Sequence, residues 1–279
     1  MTSNQKLLNN LQKSLSRDRN TFIRICGDFQ RTFQKLGIDR HAALTLTMEI
    51  IAFIRYATSI EEAERRIKHL FESRMYDSRS IFQMIRAGLE GRFEKIFTQI
   101  VPYLGGIRTA IDYGCGSGVL TQMIRDRCDI AIEGVDIRSF LAPNVSVPIH
   151  VFDGYHVPVP DNHFECGIVT NILHHDPDNE KILQELSRIV SGKVVIIETV
   201  PEADNEEEAR KDWDRMILND ALWNRFFNYA DIPVPGTYEI PRIWITRIKK
   251  YFTNLVHSQD LGFDQDTIQD RHHLLVFEK

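Results

Sequence analysis

Up to about residue 105 the apolar residues recur at steps of three and four, and this spacing predicts amphipathic helices. Phe22, Ile25, Phe29 and Phe33 form one stripe; Leu44, Met48, Ile51 and Ile54 form another; Ile81, Met84, Ile85, Leu89, Phe93 and Phe97 form a third. An all-helical leading region is expected. From Thr109 the rhythm changes to short apolar runs separated by helical stretches. Strands are expected at Thr109–Tyr113, Ala131–Ile137, His150–Asp153, Cys166–Ile172 and Lys193–Thr199, with helices at Val119–Arg127 and Glu180–Val190. Because parallel strands need crossover connections, this alternation indicates a parallel sheet with helices packed on it. The crossover RSFLAPNVSVP carries two prolines and is expected to be degenerate.

Beyond the fifth strand, the acidic stretch PEADNEEEARK leads into an amphipathic helix bearing Trp213, Met216, Ile217, Leu222, Trp223, Phe226 and Phe227. A proline-rich loop, a basic amphipathic helix from Arg242 to about Leu255, and a final strand pair at His257–Phe263 and His272–Glu278 follow. The division expected is a helical region over 1–105, serving as a cap or a homodimer contact, and an α/β domain over 106–279 with a helical substrate-lid insertion at about 202–240.

Composition narrows the function. With 279 residues and 43% hydrophobic content, the chain can bury a sizeable core. The formal net charge of -5 argues against the basic footprint of most nucleic-acid binders and favours a small-molecule partner. Cys26, Cys115, Cys128 and Cys166 show neither zinc-ligand spacing nor the density of a secreted scaffold, so reduced thiols and a cytoplasmic location are expected. No signal-peptide pattern and no run long enough to span a bilayer is seen in the sequence.

The strongest local signal is AIDYGCGSGVLTQMI, an apolar strand ending in Asp112, glycines at 114, 116 and 118, and then a helix. Glycine lets the main chain approach a ligand without a Cβ in the way, and the helix start offers unpaired N–H groups. The next strand ends at Asp136, the offset at which an acid meets ribose hydroxyls in nucleotide-binding α/β folds. A dinucleotide fingerprint would place its last glycine three residues after the second, where this chain has Val119.

On these residues, the stretch from about Ala110 to Val200 resembles the class I, type 11 (ubiquinone/menaquinone methyltransferase-like) S-adenosylmethionine-dependent methyltransferases. FECGIVTNILHHDPDNEKILQELSRIVSGKVVIIET is similar to that family's fourth strand, following helix and fifth strand, with Ser-Gly-Lys where Pro-Gly-Gly is usual. The resemblance implies a Rossmann-like seven-stranded sheet whose last strand is antiparallel. It also implies S-adenosyl-L-methionine as cofactor, held by Asp112, Gly114, Gly116, Gly118, Asp136, Ile137, Asp153, Gly154 and Asn171, with Asp153 and Gly154 at the adenine.

His174 and His175 fall where the fourth strand ends, the edge at which ligands bind to an open α/β sheet, and are the candidate general bases. The alternative is that they pack on the sheet or bond the local loop. Asp176, before Pro177, reads as a helix N-cap. Adjacent side chains rarely converge on one ion, so no metal is expected at His174, His175, Asp176 and Asp178. His150, His156 and His163 read as loop histidines. Trp213, Trp223, Phe226, Phe227 and Tyr229 would suit an apolar acceptor or simply bury their own helix. Arg210, Arg215 and Arg225 read as a solvated face, and Arg242, Arg247, Lys249 and Lys250 as the wet side of an amphipathic helix. Tyr76 and Arg86, just before the first strand, are candidates for closing the cofactor pocket.

The expected function is methyl transfer to an O, N or C atom of a small, partly apolar metabolite. RNA or protein methylation is the competing enzyme reading, although the Asn-Pro-Pro-Tyr type motif is replaced by Thr170, Asn171, Ile172 and Leu173. A non-catalytic methyltransferase-fold interaction subunit is the third reading.

Overall fold

The protein is described here from a computed structural model covering residues 3–16, 19–139, 141–142, 144–227, 232–265 and 269–279. In chain order the elements are α1 (Ser3–Ser14), α2 (Arg19–Lys35), α3 (Arg40–Tyr56), α4 (Ile60–Ser73), β1 (Met75–Tyr76), β2 (Arg79–Ser80) and α5 (Ile81–Ile100). Then come β3 (Thr109–Tyr113), α6 (Val119–Cys128), β4 (Ala131–Asp136), β5 (Ile149–Val151), β6 (Phe164–Thr170), α7 (Asn179–Ile189) and β7 (Val190–Val200). The chain continues through α8 (Glu206–Ala221), a wide helical turn at Leu222–Phe227, α9 (Pro241–Ile248), β8 (Asn254–Gly262) and β9 (Arg271–Glu278). Among the described residues, no helix is long and apolar enough to cross a membrane.

Two compact units result. The first comprises Met1–Arg92, Pro201–Gly236 and Phe263–Asp270; the second comprises Phe93–Val200, Thr237–Gly262 and Arg271–Lys279.

In the first unit local signals set the helix ends. Asp39 caps α3 by accepting from His41 N and Ala42 N, and Ser59 caps α4 by accepting from Glu62 N. Asn205 caps α8, whose first turn holds Glu206, Glu207 and Glu208 against the positive end of the helix dipole. The apolar stripes then meet: Leu8, Leu11, Ile25, Phe29, Phe33, Ile50, Ile54 and Phe71 share one core with Leu218, Leu222, Trp223 and Phe226. The leading region is not wholly helical, because Asp77 and Ser78 take left-handed conformations and turn the chain into the short β1–β2 hairpin.

Arg215 and Arg225 are not solvated. Arg215 is 3% exposed, with Nε and Nη2 donating to Asp212 at 2.8 Å and Nη1 donating to Asp28 Oδ2 at 2.9 Å and to the Gln269 carbonyl. Arg225 is buried and donates to Glu64 Oε1 and Asn4 Oδ1. Asp212 is three residues away on the same helix, but Asp28 and Glu64 lie far away in sequence, so helical periodicity alone does not reveal them. Trp213 is stacked under Arg210, Tyr76 Oη accepts from Asp39 N, and Arg86 lies over the Phe82 ring. Tyr229 and the side chain of Phe227 lie outside the described residues.

The second unit is built on a seven-stranded sheet of order β5-β4-β3-β6-β7-β9-β8. β5, β4, β3, β6 and β7 pair in parallel, while β9 runs antiparallel to both β7 and β8. Strand alternation sorts the side chains. Ile111, Tyr113, Val169, Val194, Ile196, Leu275 and Phe277 join α7 and α9 on one face. Ala110, Cys166, Ile168, Val195, Ile197, Leu274 and Val276 join α5 and α6 on the other. The basic helix is shorter than its apolar pattern suggests: α9 ends at Ile248, and Leu255 pairs with Phe277 in the sheet instead. Arg247 bonds Glu239 and Asn179, and Lys250 bonds Glu180, so part of the basic patch is met by local acids and an amide.

Candidate active site

The cofactor residues and the histidine pair named from the sequence fall in the second unit, at or just beyond the C-terminal ends of its parallel strands, whereas Tyr76 and Arg86 fall in the first. The loop from β3 to α6 is folded by its glycines. Gly114, Gly116 and Gly118 have φ of 78°, 54° and 75°, a region that side chains strongly disfavour. Gly114 N and Cys115 N donate to the Val135 carbonyl at 2.8 and 3.0 Å, which ties the loop to the end of β4. Gly118 begins α6 with no side-chain cap.

The two carboxylates hold different positions. Asp136 Oδ2 accepts from Gly116 N at 2.8 Å and Oδ1 from Arg138 N at 3.2 Å, so the acid is clamped to the loop main chain. Burial pushes its carboxyl above the ordinary range, against the pull of those amides. Asp112 lies on the α6 side, 1% exposed, with Oδ2 accepting from Thr121 Oγ1 at 2.6 Å and Oδ1 without a partner. Burial raises its carboxyl to about 7.

Beyond β4 and β5 a second feature forms. Ile137, 42% exposed despite being apolar, meets Gly154, where an added Cβ would lie 3.2 Å from Ile137 Cγ2. Gly154 has φ of 95°, and its carbonyl accepts from the buried Tyr113 hydroxyl at 2.8 Å. Asp153 Oδ1 accepts from Tyr155 N and His156 N, which shapes this turn and holds the Asp153 carboxyl below its usual range.

At the end of β6, Asn171 takes a left-handed conformation with φ of 56°. Its N–H donates to the Ile197 carbonyl, its Oδ1 accepts from Thr199 Oγ1, and its Nδ2 is buried with no partner. His174 is 2% exposed, and its Nδ1 lies 2.7 Å from Glu198 Oε2. Its ring stacks on Tyr238 at 5.2 Å and lies 4.2 Å from that of His175. Thr237 Oγ1 donates to the His174 carbonyl. Asp176 is not the helix cap: α7 starts at Asn179 after Asp178, and Asp176 Oδ1 accepts from Asp178 N while its carboxylate accepts from the Tyr155 hydroxyl. His150 lies beside Glu133, His156 near Glu185, and His163 against Phe164.

Glu198 is the residue that sequence reasoning passed over. Its signal is an acid inside VVIIETV, an otherwise apolar strand. An unpaired carboxylate at 0% exposure would be costly, and that cost demands partners.

These residues fit S-adenosylmethionine. The glycine turn carries no Cβ of its own at Gly114, Gly116 and Gly118, the clamped Asp136 keeps lone pairs for a vicinal diol, and Ile137 with Gly154 offers an apolar edge for a base. Asn171 Nδ2 is an orphaned buried donor of the kind a ligand would use.

Residues 111–197 match the methyltransferase domain family, so a class I methyltransferase domain is present in the chain. Three solved structures show the same fold. The geranyl diphosphate C-methyltransferase of Streptomyces coelicolor A3(2), in complex with Mg2+, geranyl diphosphate and S-adenosyl-L-homocysteine, is 15% identical with a TM-score of 0.51, covering 73% of this chain and 85% of that one. A geranyl diphosphate methyltransferase in complex with SAM is 14% identical with a TM-score of 0.50, covering 71% and 90%. A chain from a complex of the Haloferax volcanii Trm112 methyltransferase activator is 13% identical with a TM-score of 0.51, covering 76% and 96%. No curated protein sequence matches the chain.

Proposed function

We propose that the protein is an S-adenosylmethionine-dependent methyltransferase acting on an oxygen, nitrogen or carbon atom of a small, partly apolar molecule. The observation that carries this reading is the glycine turn clamped to Asp136 through Gly116 N. Asp136 would accept from the ribose hydroxyls, Ile137 and Gly154 would flank the adenine, and the Gly114–Gly118 main chain with Asn171 Nδ2 would meet the amino-acid end. When bound, S-adenosylmethionine supplies an electrophilic methyl whose sulfur keeps the bonding electrons. The protein's task is then to align an acceptor, exclude water and take up the acceptor's proton, and His174 is the group assigned to that last role. Asp112 supports the turn from behind through Thr121.

Titration calorimetry with S-adenosylmethionine tests the reading. The wild-type protein should bind at micromolar level, and Asp136→Ala should weaken binding by about a hundredfold, since two charge-assisted hydrogen bonds are lost. A panel of hydroxyl, amine and acidic-carbon acceptors, scored for S-adenosylhomocysteine release, then identifies the substrate. Absence of cofactor binding, or equal binding by Asp136→Ala, would rule the reading out.

A further inference from the structure

We infer that the first unit carries a binding site for an organic phosphate, in a hollow formed by the ends of α1, α2 and α3. The hollow has a volume of about 490 Å³ and is lined by Leu15, Ser16, Arg19, Phe22 and Arg55. All five residues belong to the first unit, and none of them is part of the glycine turn or its two acids.

The protein itself holds the walls of this hollow in place. Gln12 Nε2 reaches the Ile54, Arg55 and Ala57 carbonyls at 3.1, 3.2 and 2.9 Å, which ties the end of α3 to α1. Arg55 Nη2 donates to the Leu15 carbonyl at 2.9 Å, and its guanidinium lies 5.4 Å from the centre of the Phe22 ring. Phe22 packs in turn against the apolar core of the unit.

Two cations line the hollow, and among the described residues no acid answers them. Arg19 has neither a hydrogen bond nor an ion pair there, while Arg55 has a carbonyl and a ring but no carboxylate. α1 contains no acidic residue; the first on α2 is Asp28, which is bonded to Arg31 and Arg215; the last on α3 is Glu49, which is bonded to Arg74. The chain as a whole is acidic, with a formal net charge of -5, so this concentration of unanswered positive charge is a local departure. An anion seated in the hollow offsets the repulsion between the two guanidinium groups and takes up the donors that each still has.

The choice of anion follows from the pair. A guanidinium presents a planar fork of donors that matches phosphate oxygens. A phosphate monoester carries about two negative charges at neutral pH and three acceptor oxygens, enough for both arginines, whereas a carboxylate answers only one. The volume falls in the range of roughly 300–1,000 Å³ typical of sites that hold whole small molecules. The phosphate therefore bears an organic group, for which Leu15 and Phe22 supply the apolar wall.

Titration calorimetry of the full chain with phenyl phosphate tests the site, with phenol as the uncharged control. The wild type should bind phenyl phosphate and not phenol, and binding should weaken as sodium chloride is raised. Arg19→Gln should weaken it about tenfold and the charge reversal Arg19→Glu about a hundredfold, since a charge-assisted contact is first lost and then replaced by repulsion. The urea midpoint of Arg19→Gln should match that of the wild type, because Arg19 holds no other part of the fold. Sedimentation with phosphatidylcholine vesicles containing phosphatidic acid separates the sources of the phosphate. Retention that Arg19→Glu abolishes places it on a lipid headgroup, and phenyl phosphate binding without retention places it on a soluble molecule. The inference is overturned if the wild type binds neither probe, if phenol binds as tightly as phenyl phosphate, or if Arg19→Gln and Arg19→Glu bind as the wild type does.

Discussion

In the first unit, the buried Arg215 guanidinium is surrounded by Asp212 and Asp28, with Asp270 nearby, and its charge is answered inside the fold. In the second unit, Asp112 is as deeply buried, yet Thr121 meets one of its oxygens and the other has no partner; Asn171 Nδ2 is likewise unmet. Both arrangements bury polar groups at a cost. A network that closes on itself offsets that cost by pairing and gains a fixed shape. Polar groups left short at strand ends add to the cost, which is the expected signature of a place shaped for a ligand rather than for stability.

The strongest way to break this contrast is Arg215→Ala. Removing the cation leaves Asp212 and Asp28 buried without it, and the unfolding free energy measured in urea should drop by about 3–5 kcal/mol. A midpoint unchanged from wild type would mean that the network contributes little.

Asp112→Asn tests the other side. Folded Asp112 keeps its proton up to about 7, whereas the unfolded chain releases it near the ordinary aspartate value of 3.8, so folding takes up a proton between those limits. The Asp112 contribution to unfolding free energy therefore falls as pH rises through that window, by about 1.4 kcal/mol per unit at most. From about pH 5 to about pH 7, Asp112→Asn should gain on the wild type by about 2–3 kcal/mol, read from urea unfolding at each pH. A difference that does not vary with pH would show that Asp112 folds as an ordinary carboxylate.

Gly114→Ala should cost less, about 1–2 kcal/mol, because Gly114 is left-handed. The added Cβ would come within 2.3 Å of Ile172 Cδ1 and 2.5 Å of its Cγ1, so the Ile172 side chain must also shift to make room. Trimming that chain in a Gly114→Ala, Ile172→Ala pair should recover little. Full recovery would place the strain in packing rather than in the backbone.

The glycine turn was legible because everything that shapes it is local: three alternate glycines, a strand before and a helix after, with Asp136 at a fixed offset. The strand alternation that sorts Val194 and Ile196 from Val195 and Ile197 was equally plain, and the seven-stranded sheet with its antiparallel last strand is as the resemblance implied. Glu198 escaped because its meaning depends on where His174 arrives, 24 residues earlier in the chain. Arg215 escaped for the same reason, since helical spacing cannot announce that Asp28, 187 residues away, will lie beside it. The helix from Arg242 was overextended because Phe252 and Leu255 continue its apolar rhythm, although they serve different elements. Local chemistry is readable from a string of letters; partnerships across the fold are not.

β9 enters the sheet between β7 and β8, although it is the last of the three to be synthesised. While a ribosome is still making residues 201–270, the free edge of β7, with its run of valines and isoleucines, has no strand to cover it. For that interval the nascent chain offers an adhesive border to any neighbouring strand, so its yield in a cell should depend on translation speed and on chaperones that shield such borders.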